Sequence, residues 1–311
     1  APRRRSLRGA RCVVTGGSSG IGLAAAERLA AQGAKAITLV ARDPAKLEAA
    51  SSRVRAAVSS PGTCAVRCVA LDVSDDARAQ ATLGALADAE GVDLLLCCAG
   101  IDCARRFDEL GERDFKRVMD INFHGTVNCV RAVAPAMRKA GEGMVCLVGS
   151  MAGCTGIYGY TAYSASKFAL RGFAEALRME LLGDGVRVSL ALPPDTDTPQ
   201  LAAERASMPA ATRAMAAAGG EFSAQRVARD IVEGTARGEF FISTGTDGWA
   251  LKTATAGMAP QPMPLQALAE VLAAPILRIV ALVVCADFYG KARKAVREEK
   301  AKVVAKGDDG K

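Results

Sequence analysis

The chain has 311 residues, half of them hydrophobic but only 5% aromatic, so its core must be built from Ala, Val, Leu and Ile, as suits parallel strands covered on both faces by helices. The formal net charge of +7 sits at the ends: residues 1–11 hold five arginines and no acid, residues 287–311 hold eight Lys/Arg against five acids, and the stretch between is nearly neutral. A nucleic-acid binder, which would carry its basic face on the folded body, is excluded; basic ends suit an anionic membrane surface or solvated tails.

The first element, RCVVT (11–15), is a short apolar strand that runs into a glycine-rich turn, GGSSGIG, and then an Ala-rich helix. Gly16, Gly20 and Gly22, with Ser18, Ser19 and Ile21 between them, let backbone approach a pyrophosphate at a helix N-terminus. The spacing is G-x-x-x-G-x-G rather than the common G-x-G-x-x-G. The second strand, AITLVA (36–41), ends in Arg42, with Asp43 beside it and Lys46 one turn on. An acid at that position bonds a ribose 2′-hydroxyl and an arginine accommodates a 2′-phosphate, so NADPH is the expected cofactor; a plain surface arginine is the alternative. The third, CAVRCVALDV (64–73), presents Asp72 and Val73 to an adenine edge, or uses Asp72 as a helix N-cap.

VDLLLCCA (92–99), GMVCLVGS (143–150), VRVSLALP (186–193) and EFFIS (239–243) complete seven short apolar runs separated by amphipathic stretches. Alternating strand and helix predicts an α/β fold: one Rossmann-like, doubly wound parallel sheet of about seven strands with helices on both faces. Residues 9–246 form one expected domain, and residues 247–311 an apolar C-terminal helical extension with a basic end. Between the sixth and seventh runs, residues 199–222 are rich in Ala and Met and end in Gly219-Gly220, the composition of a mobile helical flap over a site.

Within TAYSASKFALRG (161–172), Tyr163 and Lys167 lie four residues apart and share a helix face. Among the 4 tyrosines only Tyr163 has a lysine one turn on. A phenol of pKa about 10 moves protons poorly at neutral pH unless a nearby cation favours its anion, which makes this pair a candidate acid–base centre. Four of the 10 cysteines, Cys12, Cys97, Cys98 and Cys146, fall in apolar runs and read as small buried hydrophobes. No Cys-x-x-Cys occurs and His124 alone cannot complete a zinc set, so no metal is expected and the thiols read as reduced, facing the cytosol. His124 reads as a packing residue. The stretch from Ala1 onward shows neither a secretory signal nor a spanning helix.

The glycine turn, Tyr163, Lys167 and a serine ending the fifth run, Ser150, together resemble the short-chain dehydrogenase/reductase family over about residues 9–243. The resemblance implies a catalytic set of Ser150, Tyr163 and Lys167 with Asn122 of MDINFHGT as fourth member, holding a water that links Lys167 to solvent; a helix-bend role for Asn122 is the alternative. It also places Tyr163 and Lys167 against the cofactor and Thr198 at its nicotinamide carboxamide. Two departures stand out: CCAG (97–100) has Cys98 where the family has asparagine, and LPPDTDTPQL has Pro194 where glycine is usual.

PPDTDTP and the tail from DGWALKTATAGMAP (247–260) onward resemble one branch of that family. The branch implies NADPH-dependent reduction of the C3 ketone of a long-chain sphingoid-base precursor at the cytosolic face of the endoplasmic reticulum. A membrane-bound reductase of steroid or retinoid ketones would share the catalytic set, and a dinucleotide-sensing scaffold would not need it. Val271 to Ala286 is apolar apart from Arg278 and contains Pro275. A span needs about 20 apolar residues, and a central arginine costs roughly 2.5–3.5 kcal/mol on insertion scales. A shallow or re-entrant membrane helix is therefore expected, with a soluble helix buried in a homo-oligomer as the other reading.

Overall fold

The structure, a computed structural model, describes residues 4–60, 62–217 and 220–308. Arg3 of the basic start, Gly219 of the double glycine and residues 309–311 lie outside the described residues. The strands are β1 (Arg11–Thr15), β2 (Ala36–Ala41), β3 (Ala65–Ala70), β4 (Leu94–Cys97), β5 (Gly143–Val148), β6 (Val186–Leu192), β7 (Thr196–Asp197), β8 (Phe222–Ser223) and β9 (Phe241–Ser243). Seven of them form one sheet in the order β3-β2-β1-β4-β5-β6-β9, and every pairing is parallel. The expected fold class and all seven apolar runs are therefore present. β7 and β8 pair separately, Thr196 with Phe222 and Asp197 with Ser223.

Successive residues of a strand face opposite sides, and the core divides accordingly. Val13, Val40, Leu95, Val145 and Val188 pack on one face with Cys129, Val133, Leu170 and Leu177 from the helices over it. Cys12, Val14, Ile37, Leu39, Leu94 and Cys146 pack on the other with Leu29, Leu47, Val227 and Ile231. Burying one such side chain contributes about 1.5–3 kcal/mol, so helices on both faces are what hold a sheet this apolar out of water. All ten cysteines are unpaired.

Arg5, taken in the sequence as part of a membrane-facing or solvated basic end, is instead a structural clamp. Its guanidinium donates to the carbonyls of Gly143 at 3.1 Å and Gly185 at 3.0 Å, at the N-terminal edge of β5 and β6. His124 is also not packed: it is exposed, edge-on to the Phe123 ring. It ends a π-helical turn, Asp120–His124, in which the extra residue turns Asn122 fully inward and His124 out.

The flap region forms two helices, Pro199–Ser207 and Ala210–Ala216, bracketed by β7 and β8. After the helix Gly245–Ala254, the tail continues as one helix, Pro264–Asp308, which passes through Pro275 without stopping. Its length differs from the short segment expected. Among the described residues it is the helix long and apolar enough to cross a bilayer: over Pro264–Glu298 an 18-residue window has a mean hydropathy of 2.3, none of it buried. Length therefore does not forbid a span. The helix packs on Gly245–Ala254 and Ala210–Ala216, and Arg171 of the helix Thr161–Leu182 holds the chain leading to it through the carbonyls of Thr255 and Ala256 at 2.8 and 3.0 Å.

Candidate active site

β1 lies between β2 and β4, and the chain runs to opposite sides of it, so a crevice opens beyond its carboxyl end. The glycine turn occupies that crevice. Gly16 has φ +66°, and a Cβ there would meet the Cys98 and Ala99 backbone at 2.8 Å; a Cβ on Gly22 would collide with the Gly16 carbonyl oxygen. Ser19 makes no side-chain cap on the helix Gly20–Ala31, whose first turn carries no acid. Its leading N–H groups are thus open to an anion, and the closely approaching backbone fits a pyrophosphate.

A cavity of about 910 Å³ runs from this turn across the carboxyl ends of the strands. Its wall includes Gly16, Ser18, Ser19, Gly20, Ile21 and Gly22, then Arg42 and Lys46, Asp72 and Val73, Ser150, Tyr163, Lys167 and Thr198. Every expected site residue except Asn122 lies on it. Asp43 caps the helix Pro44–Ala56, accepting from the N–H groups of Ala45 (2.9 Å) and Lys46 (3.2 Å). Arg42 and Lys46 are exposed and form no salt bridge among the described residues. Asp72 is not an N-cap, since Asp75 holds that position. Its carboxylate accepts from the Ser74 N–H at 3.0 Å and hydroxyl at 2.7 Å. Burial opposes its ionised form, but those bonds and the charges of Arg42 and Arg78 outweigh it and lower its pKa.

The catalytic candidates meet where β5 ends against the helix Thr161–Leu182. Ser150 Oγ accepts from the Ala152 N–H at 3.1 Å, and its hydroxyl stands close enough to the Tyr163 phenol to favour the phenol's anion. Burial pushes the Tyr163 phenol well above its usual pKa; Ser150 works against this and the nearby Glu204, Asp102 and Asp195 reinforce it. The phenol is thus held protonated and is a weaker acid than a free one, the opposite of the lowering expected from Lys167: burial outweighs the neighbouring cation. Lys167 Nζ donates to the Val148 carbonyl at 3.0 Å and lies 5.6 Å from the Tyr163 ring centroid, over the ring. Burial brings its ammonium down to about 8, so at neutral pH it stays mostly charged.

Asn122 sits behind this cluster. Its side chain accepts from the Ile101 N–H at 2.8 Å and donates to the Ile101 carbonyl at 2.9 Å and to Ser166 Oγ at 3.0 Å. Ser166 in turn donates to the Tyr163 carbonyl at 2.7 Å. Its side chain thus clasps the loop after β4 to the catalytic helix. Cys98, expected in the sequence to be buried, is half-buried on the cavity wall near Lys167, where desolvation pushes its thiol far up. Thr198 Oγ1 caps the helix Pro199–Ser207 through the Leu201 N–H at 3.2 Å, with its methyl facing Gly20.

Three features of the site escaped the sequence reading. Thr15, fully buried at the end of β1, accepts from the Ala99 N–H at 3.2 Å and holds the turn after β4. Tyr160 and Glu204 stand beside Tyr163, the two tyrosine rings 5.4 Å apart. The tail helix closes the far end with Leu277, Val280, Val284 and Phe288. The repeat of those four residues along one helix face was a signal available in the sequence, as was Glu204, the one acid between Asp197 and Glu221.

Comparison with known proteins agrees with this geometry. The family model for short chain dehydrogenases matches residues 10–209. The 3-ketodihydrosphingosine reductase of Bos taurus is 40% identical, with 96% of this chain and 90% of that protein covered. That of Mus musculus is 39% identical over 98% and 92%, and the 3-dehydrosphinganine reductase of Danio rerio 37% over 98% and 92%. Among solved structures, a short chain dehydrogenase from Mycobacterium paratuberculosis bound to NAD superposes with a TM-score of 0.65 at 26% identity, covering 77% of this chain and 97% of that one. Levodione reductase superposes with a TM-score of 0.66 at 27% identity, covering 77% and 96%. On its sheet order, its glycine turn and these matches, the chain belongs to the short-chain dehydrogenase family.

Proposed function

We propose that this chain is an oxidoreductase that reduces the C3 ketone of 3-ketodihydrosphingosine to dihydrosphingosine with NADPH. The observation that carries the reading is one continuous cavity joining the glycine turn, the Ser150–Tyr163–Lys167 cluster and the apolar face of the tail helix. A long alkyl chain needs such a wall, and the relatives named for this reaction match through the tail as well as the sheet. Residues 9–246 carry the chemistry in this reading, while residues 247–311 meet the membrane and close the cavity.

Gly16 to Gly22 and the open helix N-terminus hold the cofactor pyrophosphate, Asp72 and Val73 border the adenine, and Thr198 borders the nicotinamide. When bound, the cofactor supplies the hydride. Ser150 donates its O–H to the ketone oxygen as negative charge grows there. Tyr163 gives that oxygen its proton, and Lys167 steadies the phenolate left behind. Asn122 acts as a positioning residue, through Ser166 and the Tyr163 carbonyl. Purified full-length protein in detergent should consume NADPH with 3-ketosphinganine and not with steroid ketones; the reverse pattern would replace this reading with that of a steroid-ketone reductase.

With Asp43 committed to its cap, Arg42 and Lys46 are the groups left to meet the cofactor's 2′ position. Arg42→Ala is expected to raise the apparent KM for NADPH roughly 10-fold, the low end for a charged hydrogen bond because Arg42 is exposed. The KM for NADH should hardly move. Equal effects on both cofactors would mean that Arg42 does not read a phosphate.

The enzyme works at the endoplasmic reticulum membrane with its sheet in the cytosol, a placement supported by ten unpaired thiols and an exposed apolar helix. Ile279 and Val283 are each 65% exposed and one turn apart, away from the cavity. Replacing both with aspartate should abolish flotation with liposomes, since each acid in the apolar layer costs about 2.5–3.5 kcal/mol. Unchanged flotation of that variant would show that this helix face does not meet lipid.

A further inference from the structure

Glu204, on the helix Pro199–Ser207, is 8% exposed and lines the cavity beside the reaction centre. Among the described residues no donor reaches its Oε1. The Tyr160 phenol beside it favours its ionised form, and the Tyr160 ring lies tilted against that of Tyr163. Asp195, also on the cavity wall, and Asp102 add negative charge on the same side. The nearby cations are committed elsewhere: Arg205 bridges to Glu221, and Lys167 donates to the Val148 carbonyl. A buried carboxylate oxygen without a partner is expensive, and Oε1 lies just behind the cavity wall that Glu204 helps to form.

We propose that Glu204 recognises a cationic amine on the carbon next to the reacting ketone. The proposal rests on the reading above, whose substrate carries its amine at C2, adjacent to the C3 ketone. Tyr160 stands beside Tyr163, and Glu204 lines the same cavity, so a substrate whose ketone meets Tyr163 has the Glu204 carboxylate in the wall around its neighbouring carbons. A small turn of that side chain lets an ammonium there pair with it in a charge-assisted hydrogen bond. Burial, reinforced by Asp102 and Asp195, raises the Glu204 carboxyl to about 7 in the absence of such a partner. A bound ammonium would pull it back toward ionisation. Steroid ketones carry no such amine, so Glu204 sorts substrates by charge as well as by fit.

The test compares 3-ketosphinganine with its 2-deamino counterpart, using the full-length wild type and Glu204→Gln. Glutamine keeps the shape and an acceptor for Tyr160 but removes the charge. The kcat/KM ratio of amine-bearing over deamino ketone should fall about 10–100-fold in the variant, chiefly through KM. An unchanged ratio, including equal losses on both ketones, would overturn the proposal and leave Glu204 a structural partner of Tyr160. A second arm needs no turnover: octadecylamine and octadecanol compete for the cavity of the NADPH-bound wild type and of Glu204→Gln. The amine should bind the wild type at least 10-fold more tightly and lose that preference in the variant; an absent preference, or one that the variant keeps, also overturns the proposal. If neither ketone is reduced, the proposed reaction fails, and the binding arm still decides Glu204.

Discussion

Tyr163→Phe is expected to lower turnover by about 10²–10⁴-fold, the range for losing a positioned general acid, while NADPH binding persists. The substitution removes one oxygen and keeps the ring, so the contacts of the ring with Tyr160 and Lys167 survive. Burial holds the proton on Tyr163, and the alkoxide left when a ketone accepts hydride is basic enough to take it. The neighbouring Tyr160 is also pushed up by burial, reinforced by Glu204. Single-turnover rates and fluorescence titration with NADPH separate chemistry from binding. Near-normal turnover in this variant would remove Tyr163 from the reaction.

Ser150→Ala should cost about 10²–10³-fold in kcat, as for the removal of one donor to a developing oxyanion. The Ala152 N–H already occupies one lone pair of Ser150 Oγ at 3.1 Å, so the hydroxyl proton is directed outward to Tyr163 and the ketone. Because Ser150 stands beside Tyr163 and favours its anion, their losses should not add. The double variant is expected to fall well short of the product of the two single effects, since groups acting as a unit fail together. Full additivity would mean that the two act independently, and a Ser150→Ala enzyme with unchanged kcat would rule out its oxyanion role.

Much of this architecture was legible because the strands are parallel and covered on both faces. β4 is buried along its whole length and appears in the sequence as an uninterrupted apolar run. Tyr163 and Lys167 were legible for the same reason of locality, since a helix brings i and i+4 together whatever surrounds it. What depended on distant partners was not. The pairing of β7 with β8 joins two-residue strands more than twenty residues apart, too short for any periodicity. Arg5 looked like a solvated charge until the carbonyls of Gly143 and Gly185 closed on it. The tail reads in the sequence as a membrane helix or an oligomer helix, because the apolar face of Leu277, Val280, Val284 and Phe288 does not by itself show that it covers a cavity. Glu204 was hidden in the same way: its burial comes from the flap folding over Tyr160, and its neighbours in sequence are alanine and arginine.

The most direct test of the central claim follows a label. Purified full-length protein in detergent micelles is given 3-ketosphinganine and NADPH deuterated at the transferable position of the nicotinamide, and the lipid product is analysed by mass spectrometry. The expected product is dihydrosphingosine with a single deuterium, on C3, formed in step with NADPH consumed. Recovery of unreduced 3-ketosphinganine while the same enzyme transfers the label to a steroid ketone would contradict the account.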